Sequence, residues 1–396
     1  MKKSVAIIGG GPAALLCAIF LDPNKFDVTI YEKNKSVARK FLVAGKGGFN
    51  MSHAEDMQDF VKRYTPKGFL DSALLNFTNS DLRDYFLSIG IPTFKGSSNR
   101  IYPEKGIKPI EVLQAILKVL DSKNVNIQFQ EKWIGWSTTD ALQFESGLEV
   151  KSDFTVFCMG GATWKKTGSD GAWLSLFANK RIITKPFEVS NCAFGIDWSE
   201  FFVQKCEGKP LKNISISCGS KTQKGEAVIT RFGLEGNAIY GLSPEIRKQL
   251  QVNGIAEVFV DLKPSLSAGL VLNRLKNSTA KNTSEKLKTA LKLSSAQLEL
   301  LKNNSSKEVF IDLRLLAKNI KKLKLTIYSM APLEEGISCV GGIALGEVTD
   351  TFELSKIPDH YCIGEMLDWD APTGGYLLQA CFSMGVSVAR KLNLKN

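Results

Sequence analysis

Gly9-Gly10-Gly11-Pro12 stands between two apolar runs near the amino end, and an acid, Glu32, follows 21 residues after Gly11. Gly9, Gly11 and Ala14 fit the pattern G-x-G-x-x-[G/A]. Each position has a physical task. Gly9 permits a tight turn, Gly11 lets a pyrophosphate approach the backbone, and Ala14 lets a helix pack close to a strand. A helix opening at Pro12-Ala13 offers free N–H groups and a positive dipole end to phosphates. Glu32 can accept hydrogen bonds from an adenosine ribose that carries a free 2′-hydroxyl. Such chemistry is dinucleotide binding; the rival reading is a glycine-rich structural turn. An acid at this position does not separate FAD from NAD.

The elements needed to position these residues follow in order. Ser4-Val5-Ala6-Ile7-Ile8 reads as a strand buried on both faces. Leu15 to Leu21 continues as an apolar helix, and Asp27 to Glu32 is a second strand ending in the acid. Near the carboxyl end, His360 to Gly364 reads as a strand running into Glu365-Met366-Leu367-Asp368. Thr373-Gly374-Gly375-Tyr376 then opens an apolar run of helical length, Leu377 to Leu392. A bipartite ligand needs a second anchor of this kind. Asp368 could bind the ribityl hydroxyls of FAD, and a helix opening at Gly374-Gly375 could aim its N–H groups at the flavin pyrimidine edge, where charge builds on reduction. The alternative is a glycine-rich loop capping a core helix.

The chain resembles the flavoprotein family called HI0933-like or YhiN-like, also labelled NAD(P)/FAD-dependent oxidoreductase. The resemblance spans nearly the whole length. It rests on Ile8 to Ala14, Tyr31-Glu32-Lys33, Arg39-Lys40-Phe41-Leu42, Gly45 to Asn50, Gly160 to Thr163, Thr167 to Gly171, Gly341-Gly342-Ile343, Gly364 to Asp368, and Thr373 to Tyr376. It implies a Rossmann-like α/β FAD-binding domain of glutathione-reductase type, interrupted by a β-barrel insertion that carries a small helical subdomain. It implies bound FAD, with Gly9, Gly11, Pro12, Ala13, Ala14, Glu32 and Lys33 on the ADP half; no attachment signal is visible in the sequence, so non-covalent FAD is the default. Lys40, Gly45, Gly47 and Asn50 then line the flavin side, Gly161 and Asp170 lie near the cofactor, and Gly364, Glu365, Asp368, Gly374, Gly375 and Tyr376 close over the ribityl and ring. The chain departs from the pattern at Gly48-Phe49-Asn50, where many relatives carry Arg-Cys-Asn, and at Ser338-Cys339, where they carry Val-Thr.

The expected boundaries are 1–187 with 333–396 for the FAD-binding domain, 188–255 with 306–332 for the β-barrel insertion, and 256–305 for a basic helical subdomain. Gly96 to Pro103 reads as a loop; in the family a similar stretch lies close to the flavin, which makes Arg100 and Tyr102 candidates for holding an anionic or polar substrate. Only two histidines occur, His53 and His360, so a proton donor or acceptor is sought among Tyr102, Lys46 and Cys339. The implied activity is hydride transfer through FAD, probing three substrate classes found among relatives: a C=C bond in a ring, an amine, or uridine of ribosomal RNA. NAD(P)H is a possible electron donor, although no second complete glycine fingerprint is visible. A module that holds FAD without turnover is the non-enzyme alternative.

Composition narrows the rest. The chain has 396 residues, 44% hydrophobic and 23% charged, enough for two or three domains with a core. Eight cysteines include no C-x-x-C pair, which excludes zinc-ribbon and thioredoxin-like readings. Residues 263–324 hold 14 Lys or Arg against four acids, nearly all of the chain's net charge of +11. Such a segment can contact an RNA backbone or simply form a solvated lysine-rich face. Phe310 is its only aromatic, so base stacking is not suggested. Ser4 to Leu21 mimics a signal peptide, but the Gly-Gly-Gly-Pro interruption argues for a cytoplasmic protein with no membrane partner.

Overall fold

The computed structural model describes residues 1–43 and 49–395, so Gly45, Lys46 and Gly47 lie outside the described residues. The chain divides into two compact units, Met1–Glu188 with Ile337–Asn396, and Val189–Gly336.

In the first unit, the strands β1 (Lys3–Ile8), β2 (Phe26–Glu32), β6 (Asn126–Phe129), β7 (Phe154–Phe157) and β8 (His360–Cys362) form a parallel sheet in the order β8-β7-β1-β2-β6. Val5 to Ile8 and all of β7 are buried, as expected of strands covered on both faces. Helix α1 (Pro12–Phe20) follows β1 directly, with Pro12 in its first turn and Gly11 as a cap that has no side chain to occupy the helix end. Its residues Ala13 to Ile19 are all buried. A short helix, α2 (Arg39–Val43), follows β2.

The carboxyl-terminal helix, α3 (Tyr376–Leu394), packs along α1. The crossing is close because α3 carries Gly385 at the contact; a Cβ there would run into the Ala13 carbonyl oxygen. A smaller antiparallel sheet, with β5 (Arg100–Pro103) between β3 (Ser52–His53) and β4 (Thr93–Lys95), lies in the same unit. The stretch expected to be a loop is therefore a hairpin. Only Gly96 to Asn99 turns, closed by Gly96 N–H to the Arg100 carbonyl and Asn99 N–H to the Gly96 carbonyl. Arg-Ile-Tyr-Pro is too short for alternation to stand out in the sequence.

The second unit holds an antiparallel sheet in the order Leu323–Ile327, Ala256–Asp261, Pro210–Cys218, Lys221–Ile229, Gly233–Glu235, Phe194–Gly195, Ser329–Met330. Its two outermost strands are neighbours in the chain, separated by Tyr328 alone. Between Ala256–Asp261 and Leu323–Ile327 run the helices Ala268–Lys276, Thr283–Thr289, Ser295–Asn303, Lys307–Ile311 and Leu313–Lys321. Each starts at a side chain that accepts a backbone N–H: Ser267, Asn282, Ser294, Ser306 and Asp312. Helices thus continue past 305, and 256–261 is strand, its Ala256, Val258 and Val260 buried in alternation.

Candidate functional site

A cleft of about 360 Å³ opens where β1 and β2 end. This is where an open parallel sheet binds its ligand. Gly9 makes the turn out of β1 with φ +98°, and a Cβ at this position would lie 2.7 Å from the Cys158 carbonyl oxygen. Gly11 differs. Its φ is −80°, and the nearest atom to a Cβ there is 3.8 Å away, so a side chain would project into open space at the head of α1. Glu32 is buried at the end of β2, where its carboxylate accepts the Gly10 N–H at 2.8 Å, the Asn34 N–H at 2.8 Å and the Asn34 side-chain amide at 2.6 Å. Lys33 Nζ pairs with Asp170 at 2.7 Å. Burial works against the Asp170 charge, but the Lys33 and Ala172 hydrogen bonds outweigh it and hold the carboxyl below its ordinary value.

Across the cleft, Lys40 Nζ donates to Glu365 Oε2 at 2.7 Å and to Thr163 Oγ1 at 3.0 Å. Burial opposes the ammonium charge, yet the Glu365 carboxylate outweighs it and holds Lys40 above its ordinary value. Removing one member of such a pair strands the other. Glu365→Leu should destabilise the protein by about 2 kcal/mol, less than the roughly 3–5 kcal/mol of a fully buried pair because Lys40 retains some exposure. Lys40→Met/Glu365→Leu should recover most of that loss in urea melts. Equal losses in the single and double variants would contradict the pairing.

Of the residues singled out in the sequence, Gly9, Gly11, Pro12, Ala13, Glu32, Lys33, Lys40, Asp170, Gly364 and Glu365 line this cleft. Ala14 is buried in the α1 packing. Asn50, Gly161, Cys339 and Asp368 do not line it. Asp368 instead accepts Lys185 Nζ at 2.6 Å and the Gly341 N–H at 2.9 Å. Cys339 is a buried thiol pushed up to about 11 by burial and then by the Glu365 charge; its sulfur accepts the Ala162 N–H and sits where a Gly161 side chain would be. Trp133 and Trp173, which supply apolar walls, carry no motif that would have marked them in the sequence.

Arg100, Gly374, Gly375 and Tyr376 gather in a second cluster of the same unit, and Tyr102, two residues from Arg100 on β5, stacks on Phe94. Tyr376 donates its hydroxyl to Glu55 at 2.6 Å, and Arg63 grips the same carboxylate through Nε at 3.1 Å and through its terminal nitrogen. The His53 ring stacks on Tyr376, centroids 5.0 Å apart, and its Nδ1 accepts the Glu55 N–H. Arg100 lies along the Gly374 turn, 3.4 Å from where a Cβ of that residue would be. The composition argument against histidine missed His53, whose ring stacks on Tyr376 from the far end of the chain.

Burial alone would raise the Glu55 carboxyl, but hydrogen bonds from Arg63 and Tyr376, with the Arg63 charge, hold it below its ordinary value. A carboxyl lowered in the fold adds stability above its unfolded pKa of about 4.3, and loses it as pH falls through the folded value. Glu55→Gln should therefore melt below wild type at neutral pH, and the gap should narrow as pH falls below about 4. A constant gap across acid melts would contradict the assignment.

The cleft offers backbone N–H groups at a helix end, a buried carboxylate and the cations Lys33 and Lys40, a donor set that fits a dinucleotide. The family profile described as HI0933-like protein Rossmann domain matches residues 3–391. A 3-dehydro-bile acid delta(4,6)-reductase of Clostridium scindens is 24% identical over 98% of both chains. A ribosomal RNA dihydrouridine synthase of Haemophilus influenzae is also 24% identical over 98% of both chains. Among solved structures, the open conformation of a flavocytochrome c3 fumarate reductase shares the fold at a TM-score of 0.52, with 11% identity, 99% of this chain and 78% of that one covered. Among the described residues no helix is long and apolar enough to cross a membrane. The chain belongs to the HI0933-like family, as a flavoprotein oxidoreductase with a Rossmann-type FAD-binding fold.

Proposed function

We propose that this enzyme reduces a C=C bond in a ring substrate. The observation that carries the reading is the glycine turn, free helix end and buried Glu32 at the strand ends of a chain that matches its reductase relative from end to end. Bound FAD, once reduced, supplies a hydride. Gly9, Gly11, Pro12, Ala13 and Glu32 hold the adenosine and pyrophosphate half, with Lys33 and Asp170 beside it. Lys40, Gly364 and Glu365 stand toward the redox ring, and the α3 opening at Gly374-Gly375-Tyr376 completes that side. NAD(P)H is the proposed electron donor, and the cytoplasm the proposed compartment. The domain boundaries and the barrel closure are proposals too; the adjacency of the outermost strands across Tyr328 supports the closure.

The test starts with the purified protein. It should carry FAD, bleach with NADPH or NADH, and recover its colour on adding a ring substrate with a conjugated double bond. Bleaching without recovery by any such compound would remove the C=C reading.

A second reading, reduction of uridine in ribosomal RNA, is favoured by the basic helices. Arg274, Lys276, Lys281, Lys288, Lys307, Arg314 and Lys318 are exposed and have no carboxylate partner among the described residues. Lys321 and Lys324 do not belong to that face of free charge: they pair with Asp261 at 2.6 Å and Glu257 at 2.5 Å. Sequencing ribosomal RNA from a deletion strain decides this reading, and an unchanged dihydrouridine profile would remove it.

A further inference from the structure

We infer that one face of the small β3-β5-β4 sheet binds a conjugated ring carbonyl, with Arg100 on the carbonyl oxygen; the inference rests on the C=C reading above. Directly opposed residues of an antiparallel pair share a face, as do residues two apart on one strand. The register pairs His53 with Arg100 and Phe94 with Tyr102. Arg100 and Tyr102 are themselves two apart, while Ile101 and Pro103 between and beyond them are buried on the other face. His53, Arg100, Tyr102 and Phe94 therefore stand together, all half-buried.

The contents of this face point to a ligand. Phe94 and Tyr102 stack with centroids 5.6 Å apart and form a flat aromatic wall. His53 is tied to Glu55 and to Tyr376. Arg100 and the Tyr102 hydroxyl differ: among the described residues neither has a hydrogen-bond or ion-pair partner for its side chain. Arg63 takes the Glu55 carboxylate in the same cluster, and among the described residues Arg100 has no counterion. A guanidinium and a phenol side by side on an aromatic wall, beside the Gly374 turn, suit an oxygen that gains negative charge on a flat ring.

The chemistry of C=C reduction calls for that group. An isolated double bond is a poor hydride acceptor; one conjugated to a carbonyl is a good one. Hydride adds to the β-carbon, the π electrons move to the carbonyl oxygen, and the resulting enolate takes a proton at the α-carbon to leave a saturated carbonyl. The reductant is dihydroflavin. Arg100 stabilises the enolate oxygen, and Tyr102 donates a hydrogen bond to it. A steroid enone and a uracil ring both carry this conjugated unit.

The test uses para-nitrophenol, whose phenolate mimics the enolate and whose colour reports ionisation, in difference spectra on the FAD-loaded protein. Wild type should bind it as phenolate. Arg100→Met should weaken binding on the order of ten- to a hundredfold, with partial rescue in Arg100→Lys and a smaller loss in Tyr102→Phe. FAD content and reduction by dithionite should be unchanged in all three. Unchanged phenolate binding in Arg100→Met, or loss of FAD from it, would overturn the assignment; should that variant not fold, Arg100→Lys and Tyr102→Phe carry the same test. Displacement of the phenolate by androst-4-ene-3,17-dione or by uridine would support a conjugated carbonyl and identify its source, and displacement by neither would overturn it. Absence of FAD from the wild type would instead strike the C=C reading, since phenolate binding is read separately.

Discussion

Gly11→Val should yield a folded protein that no longer retains FAD. At −80°, φ of Gly11 is open to any residue, and a Cβ there meets nothing closer than 3.8 Å within the protein. The fold therefore has no reason to reject valine. The two added methyl groups would instead stand at the head of α1, where a pyrophosphate must come within hydrogen-bond distance of the backbone. A weakening of FAD affinity on the order of a hundredfold or more is expected, with the melting temperature of the apoprotein close to that of wild-type apoprotein. Gly9→Val is the useful contrast. Its backbone lies at φ +98° and its side chain would press on the Cys158 carbonyl, so it should lose cofactor and stability together. Full FAD content in Gly11→Val would show that the cofactor does not approach the backbone there.

Gly385→Val should cost about 3 kcal/mol or more, although Gly385 is far from the glycine turn in sequence and touches no expected ligand. Glycine inside a helix is unfavourable by about 1 kcal/mol against alanine, so on propensity alone replacement would stabilise α3. Packing reverses the sign. The α-carbon of Gly385 lies against the backbone of α1, where any Cβ collides with the Ala13 carbonyl and approaches the Cys17 N–H nitrogen at 3.0 Å. Relief requires the two helices to separate, which would uncover buried Ala13, Leu16, Cys17, Val386 and Val388. Even Gly385→Ala should therefore lose stability. Chemical denaturation of both variants measures this, and a gain in Gly385→Ala would mean that α1 and α3 do not cross so closely.

These two glycines show what sequence can and cannot reveal. Gly9, Gly11 and Glu32 were legible because the strand, turn, helix and second strand that position them are contiguous, and each local preference agrees with its neighbours. The helix partner of Gly385 and the Tyr376 partner of Glu55 are not local: Tyr376 and Glu55 are 321 residues apart. No periodicity marks such a contact. The late acids show a finer difficulty. Glu365 and Asp368 are both plausible partners for a cofactor hydroxyl, but a single turn of 3₁₀-helix, Gly364–Met366, sends Glu365 toward the cleft and leaves Asp368 with Lys185. Charge counting has the same blind spot. Lys321 counts toward the basic segment, yet it is spent on Asp261 and on the carbonyls of Lys263 and Leu266.

The central claim is that the FAD held by this fold delivers hydride to a conjugated double bond. The most direct measurement is anaerobic mixing of the photoreduced holoenzyme with excess androst-4-ene-3,17-dione, and separately with uridine-containing ribosomal RNA, while following the yellow colour of oxidised flavin. Return of the colour with one of them, matched by one equivalent of product saturated at the former C=C bond, is the expected result. A flavin that stays bleached with both, yet reoxidises normally when oxygen is admitted, would contradict it.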